Sequence, residues 1–113
     1  MPLSRDMTER IFSKKNLLDR FRPFPRAILE KLHEQFVIEW TYNSNAIEGN
    51  TLTLRETALV LREGITIAGK SLREHFEATN HRSAILELEQ IVHSKKSFTE
   101  DLLLRLHGII LSN

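Results

Sequence analysis

The chain has 113 residues, 41% hydrophobic and 27% charged, with sixteen basic residues against fifteen acidic ones and a net charge of +1. This is the composition of an ordinary globular chain, one domain or a piece of one; no stretch approaches the ~20 apolar residues of a membrane helix, and interspersed charges leave no basic field for nucleic acid. The absence of cysteine excludes disulfides, thiolate metal sites and cysteine nucleophiles and suits a cytoplasmic protein.

The start, Met1-Pro2-Leu3-Ser4-Arg5-Asp6, lacks the basic segment and apolar run of a secretory signal. Asp6 or Thr8 is expected to cap a first helix whose apolar positions Ile11, Leu17, Leu18 and Phe21 recur near helical spacing. Arg22-Pro23-Phe24-Pro25 then ends it as a two-proline hinge. From Pro25, well placed in a first turn, Ile28, Leu29, Leu32, Phe36, Val37 and Trp40 form one apolar stripe that reaches Ile47, with Phe36 and Trp40 read as core aromatics. This helix is expected to end at Gly49.

Thr53-Leu54-Arg55-Glu56 is a capping box that opens a third helix, with Leu54, Ala58 and Leu61 facing one way and Gly64 as its stop. Ile65-Thr66-Ile67 reads as a short extended stretch. Ser71-Leu72-Arg73-Glu74 repeats the box and opens a fourth helix, carried to Val92 or His93, whose later apolar face is Ala84, Leu88, Ile91 and Val92. Ser97-Phe98-Thr99-Glu100 signals a fifth, with Leu102, Leu103, Leu106, Ile109 and Ile110 as its apolar side. The fold class expected from five helices is all-α. So much aliphatic surface on the last helix calls for a partner layer, so a truncated chain is expected.

Two stretches carry candidate chemistry. Gly64-Ile65-Thr66-Ile67-Ala68-Gly69-Lys70-Ser71 matches the phosphate-cradling pattern G-x-x-x-x-G-K-[ST], but that loop needs a strand entering it, and here a capped helix enters instead. It is read as a helix junction. His33, His75, His81, His93 and His107 show neither HExxH nor a tight ligand pair, so no metal site is assigned.

The second stretch, Ser44-Asn45-Ala46-Ile47-Glu48-Gly49-Asn50, is the one the chain is organised around. Ser44 and Glu48 are four apart and would stand one turn above each other on a helical face. A carboxylate in a last turn sits at the negative end of the helix dipole, an unfavourable placement of about 0.3 to 1 kcal/mol. Glu48 is therefore expected to meet a cation.

Ser44-x-x-x-Glu48-Gly49 resembles the inhibitory-helix motif (S/T)xxxE(G/N) of Fic proteins, the protein adenylyltransferases also called AMPylators. The run from Asn43 through Leu54, and then Gly69-Lys70-Ser71-Leu72-Arg73-Glu74, resemble successive landmarks of Fic proteins whose inhibitory helix precedes the core. Glu77, Asn80 and His81 fall in a segment similar to the helix that follows, and Leu106-His107 resembles the next. The likeness covers residues 40–113. It implies Fic-like N-terminal helices over 1–39, the inhibitory helix over 40–50 and the first helices of a truncated Fic core over 51–113.

What the resemblance implies is AMP transfer from ATP, with magnesium, onto a hydroxyl side chain of a target protein. It calls for no nucleic acid and no membrane, and it is compatible with a homo-oligomer. By residue match Glu48 is the inhibitory glutamate, which in the family pairs with the second arginine of the catalytic loop and keeps the γ-phosphate from a productive pose. Ser44 matches the motif's first position and Gly49 the helix-ending one. The catalytic loop HxFx(D/E)GNGRxxR and the target-binding hairpin are absent from this sequence. No catalytic, cofactor-binding or metal residue is therefore assigned, and the chain alone is expected to be inactive. The expectation is the N-terminal autoinhibitory portion of a Fic adenylyltransferase; the alternative is a stand-alone, antitoxin-like helical module that inhibits a Fic partner in trans.

Overall fold

Side-chain oxygens decide where most of the helices begin. In the computed structural model of the protein, which describes residues 2–112, Ser4, Thr53, Ser71 and Thr99 sit in extended backbone and each accepts from the N–H three residues on. Each satisfies one of the donors that a helix start leaves orphaned. Among the described residues there are five α-helices and no strand, so the fold is all-α: α1 Arg5–Asp19, α2 Arg26–Ile47, α3 Leu54–Glu63, α4 Leu72–His93 and α5 Glu100–Ile110. Met1 and Asn113, the outer ends of the expected segments 1–39 and 51–113, lie outside the described residues.

Two caps differ from expectation. α1 starts ahead of Asp6 and Thr8 because Ser4 caps it, while the Thr8 hydroxyl donates back to the Ser4 carbonyl (3.0 Å). Asp6 lies instead in the first turn, where the positive end of the dipole favours it. At α5 the cap is Thr99 rather than Ser97. The boxes at Thr53 and Ser71 form as expected, with the Glu56 and Glu74 carboxylates reaching back to the cap N–H groups.

The chain divides into two compact units, Met1–Leu32 and His33–Asn113. In the first, α1 buries no residue, and Ile11, Leu17, Leu18 and Phe21 are exposed. Asp19 ties its end, accepting from Lys15 (2.7 Å) and Arg22 (2.9 Å). The Arg22–Pro23 peptide is cis, and the Pro25 carbonyl opens α2 by accepting from the Ile28 and Leu29 N–H groups.

In the second unit α3 and α5 pack on α4. The core joins Ile38 of α2, Leu52 of the α2–α3 connection, Val60 and Leu61 of α3 and Ala78 of α4, with Ala58 and Ile67 packed against it. Polar groups close the same layer. Thr41 is fully buried with its hydroxyl 2.9 Å from His81 Nδ1, and Arg82 donates to the Leu61 carbonyl (2.6 Å) at the end of α3.

The apolar faces read from hydropathy need correction. Val37 alone of the α2 stripe is buried, alongside Ile38 and Thr41; Phe36 is 57% exposed and Trp40 37%, so neither is a core aromatic. The two rings instead pack on each other at 5.5 Å, and Trp40 meets the His81 ring edge-on. α3 buries Thr57, Val60 and Leu61 while Leu54 is exposed, and α4 buries Ile85 while Val92 is exposed. On α5, Leu103 and Ile110 are exposed, and Leu102, Leu106 and Ile109 are half-buried.

The stretch from Gly64 to Ser71 is a helix-to-helix junction. α3 enters it and Ser71 caps α4 out of it. His75 holds it together: Nε2 accepts from the Ile67 N–H (2.9 Å) and Nδ1 donates to the Ser71 carbonyl (2.7 Å), a pairing that requires the Nδ1–H tautomer.

Candidate functional site

The helix end at Glu48 is built from backbone outward. α2 stops at Ile47, one residue short of Glu48, and Gly49 takes φ +96°. The Asn50 N–H reaches back to the Asn45 carbonyl (2.9 Å) and the Gly49 N–H to the Ala46 carbonyl (3.1 Å). That pair of bonds is a Schellman motif, which needs a left-handed residue where Gly49 stands and uses carbonyls the helix would otherwise leave unpaired. Glu48 is thereby the flanking residue of α2, exposed, with its own N–H on the Asn45 carbonyl (3.1 Å).

The residues after Gly49 fasten this turn to the first turn of α4. Asn50 Nδ2 donates to the Glu74 carbonyl (3.1 Å) and to Glu77 Oε1 (3.4 Å), while its Oδ1 accepts from the Leu52 N–H (2.9 Å). The Thr51 N–H donates to Glu74 Oε1 (2.8 Å), and the Thr51 hydroxyl donates to the same oxygen. The other carboxylate oxygen accepts from the Ser71 N–H (2.9 Å) and hydroxyl (3.1 Å). Donation from the Thr51 hydroxyl and N–H, and then from the Ser71 N–H, stabilises the charged form and holds the Glu74 carboxyl down at about 2. Lys70 completes the knot: its ammonium donates to the Thr51 carbonyl (2.8 Å) and hydroxyl (3.2 Å) and lies 3.9 Å from Glu56.

Two hollows flank Glu48. One, about 490 Å³, is lined by Asn45 and Glu48 from the end of α2, by Arg73, Phe76, Glu77 and Asn80 of α4, and by His107 and the residues closing α5. Asn80 links α4 to the end of α5 there, donating to the carbonyls of Ile110 (3.3 Å) and Ser112. The other, about 310 Å³, runs between Glu48, Gly49 and the α4 start and shares Arg73, Glu74 and Glu77. Glu48 makes no ion pair among the described residues, and Arg73 is the cation that lines both hollows with it.

Of the three residues singled out by the motif, the structure brings Glu48 and Gly49 to the second hollow. Ser44, half-buried one turn earlier, lines neither. Asn50, Thr51 and Lys70 received no role from sequence, although Asn50 follows a helix-stopping glycine, the position from which a Schellman turn donates. Across the unit, burial beside Trp40 and Thr41 holds the His81 imidazolium pKa below its ordinary 6.5.

The geometry defines an all-α segment that carries a fixed helix end with an acidic residue lining a hollow. No family model and no solved structure matches the chain. Curated relatives do. The chain is similar to protein adenylyltransferase fic-1 of Caenorhabditis elegans, 33% identical over 104 residues, 89% of this chain and 20% of that protein. The fic-1 protein of Caenorhabditis briggsae is 34% identical over 87 residues, 75% and 17% of the two chains. Protein adenylyltransferase Fic of Nematostella vectensis is 29% identical over 116 residues, 98% and 26%. The chain spans about a fifth of the length of these relatives. Their shared name supports the Fic family for this chain.

Proposed function

We propose that this chain is the N-terminal autoinhibitory portion of a Fic protein adenylyltransferase, in which Glu48 holds back transfer of AMP from ATP to hydroxyl side chains of a protein substrate. The observation that carries the reading is the state of Glu48. A turn bonded inward through three N–H groups fixes its backbone, the residue lines the hollow, and among the described residues it has no ion-pair partner. In the reading, the partner is an arginine of the catalytic loop. A charged hydrogen bond of that kind contributes about 1.5 to 3 kcal/mol and withholds the arginine from the nucleotide.

The residues present here do not themselves fit the nucleotide's metal. No group of three His, Asp or Glu side chains among the described residues is arranged to hold an ion, and the Glu74 carboxylate beside the turn already accepts four hydrogen bonds. Magnesium and the phosphates therefore fall, in this reading, to the part of the relatives beyond the matched fifth. The assignment of Ser44 and Gly49 to the same motif, and a cytoplasmic setting for a chain without cysteine, belong to the proposal.

The test is auto-adenylylation of the full-length polypeptide that carries this segment. Glu48→Gly is expected to raise AMP transfer about ten- to a hundred-fold, at about 1.4 kcal/mol per decade, and Glu48→Asp to raise it less, since a shorter acid reaches partway. Equal rates for wild type and both variants, at equal folded concentration, would overturn the assignment.

A further inference from the structure

We infer that Glu74, acting through Asn50 and Thr51, is the positioning residue that holds Glu48 in its inhibitory pose. This rests on the reading of Glu48 above.

A capping-box glutamate ordinarily serves its own helix, reaching back to the N-cap N–H. Glu56 does that for α3, bonding the Thr53 N–H (2.9 Å), and beyond its own helix has only an ion pair at 3.9 Å with Lys70. Glu74 does more. One carboxylate oxygen serves Ser71 at the start of α4, and the other takes both donors of Thr51, 23 residues back along the chain. The backbone carbonyl of Glu74 takes the Asn50 amide as well. Asn50 is the residue whose N–H closes the Schellman turn on Asn45, and only Gly49 separates it from Glu48.

The path from Glu74 to Glu48 is thus short and continuous: carboxylate to Thr51, Thr51 to Asn50 along the chain, Asn50 to the end of α2. Lys70 braces it by donating to the carbonyl and the hydroxyl of Thr51, the residue whose N–H reaches Glu74. Glu48 has no side-chain bond of its own to hold it among the described residues, so its direction is set by this turn. A glutamate that must meet one arginine needs its backbone fixed, because an error of about 1 Å removes a charged hydrogen bond. Glu77, which accepts from Asn50 at 3.4 Å, is the weaker member of the same clamp.

The experiment has two arms. In the first, amide hydrogen exchange is measured on this 113-residue chain. Glu74→Ala is expected to speed exchange at Gly49 and Asn50 at least tenfold, although neither backbone N–H bonds to Glu74, and to leave the Val60 and Ile85 amides as they are; Glu56→Ala, which removes a capping box that makes no hydrogen bond to Thr51, is expected to leave Gly49 and Asn50 unchanged. Thr51→Val, which keeps both boxes and removes one donor, is expected to act in the same direction as Glu74→Ala. In the second arm, AMP transfer by the full-length polypeptide is expected to rise about three- to ten-fold with Glu74→Ala, and not at all when Glu74→Ala is added to Glu48→Gly.

Acceleration confined to the Thr51 amide, or equal effects of Glu74→Ala and Glu56→Ala on Gly49 and Asn50, would overturn the positioning role. So would transfer that Glu48→Gly releases but neither Glu74→Ala nor Thr51→Val does; that outcome leaves the inhibitory reading standing. If Glu48→Gly itself releases nothing, the inhibitory reading fails and the positioning role fails with it, whatever the exchange arm shows of the turn.

Discussion

Leu52 offers the sharpest test of how the motif is seated on the fold. It follows the Schellman turn by two residues and is 4% exposed, packed among Ile38 of α2, Val60 and Leu61 of α3 and Ala78 of α4. Its N–H is bonded to Asn50 Oδ1, so its backbone cannot retreat, and its neighbours come from three helices that would have to move together to close a gap. Leu52→Ala removes three carbons from this environment, about 2.4 kcal/mol at ~0.8 kcal/mol for each CH₂. The cavity left by incomplete relaxation adds to it, for a loss of about 2 to 5 kcal/mol in all. Leu54, two residues on, is 43% exposed at the first position of α3, and Leu54→Ala is expected to lose less than about 1 kcal/mol because alanine is also the better helix former. In a domain of this size each kcal/mol shifts the midpoint by about 4 to 8 °C. Thermal and urea unfolding followed by helical circular dichroism should therefore put Leu52→Ala at least about 8 °C below wild type, with Leu54→Ala within a few degrees of it. A loss from Leu54→Ala equal to or larger than that from Leu52→Ala would refute the packing argument.

Gly49→Ala is expected to destabilise by about 1 to 2 kcal/mol, the penalty of a Cβ in left-handed backbone; no atom lies within 4 Å of where that Cβ would stand, so the loss is conformational and Gly49→Asn should recover part of it. Urea midpoints measure both, and an unchanged midpoint for Gly49→Ala would remove the Schellman turn from the account. The lowered pKa of His81 gives stability a sign with pH. The unfolded chain takes up the proton near 6.5 and the native one only below that, so stability is at its full value above 6.5 and falls as pH drops through the lower native value. His81→Gln should flatten that fall in unfolding measured from pH 7.5 to 5, and an equally steep fall in the variant would refute it.

The features legible from sequence are those whose cause is local. A capping box satisfies donors three residues away, so Thr53 and Ser71 mark the starts of α3 and α4, and Gly49 and Gly64 mark stops by a conformational freedom that needs no partner. Which face each helix buries is not local. Hydropathy makes a stripe of Ile28, Leu29, Leu32, Phe36, Val37 and Trp40, of which α2 buries Val37 alone, together with Ile38 and Thr41 outside it. A threonine is buried there because His81 of α4 gives its hydroxyl a partner, and nothing within α2 carries that information. Leu52 is illegible for the opposite reason: a lone leucine between helices has no periodicity to be read, although it packs among residues of three of them.

The site divides along the same line. Gly49 was legible as a helix stop and Glu48 as a carboxylate at an unfavourable dipole end, because both statements concern one helix. The link from Asn50 and Thr51 to Glu74 joins residues 23 and 24 apart and appears only once α4 lies beside the end of α2. That link changes what the charge at Glu48 means. On a loose helix end a carboxylate could swing toward Arg73 or toward water and relieve the ~0.3 to 1 kcal/mol it meets at the dipole's negative end. On a turn bonded inward by Glu48, Gly49 and Asn50 and clamped to α4, its backbone has no such freedom. A turn made rigid around a charge with no ion-pair partner among the described residues gains little for the stability of these helices, whose caps and core are explained without Glu48. It is the arrangement that a directed contact with a cation requires.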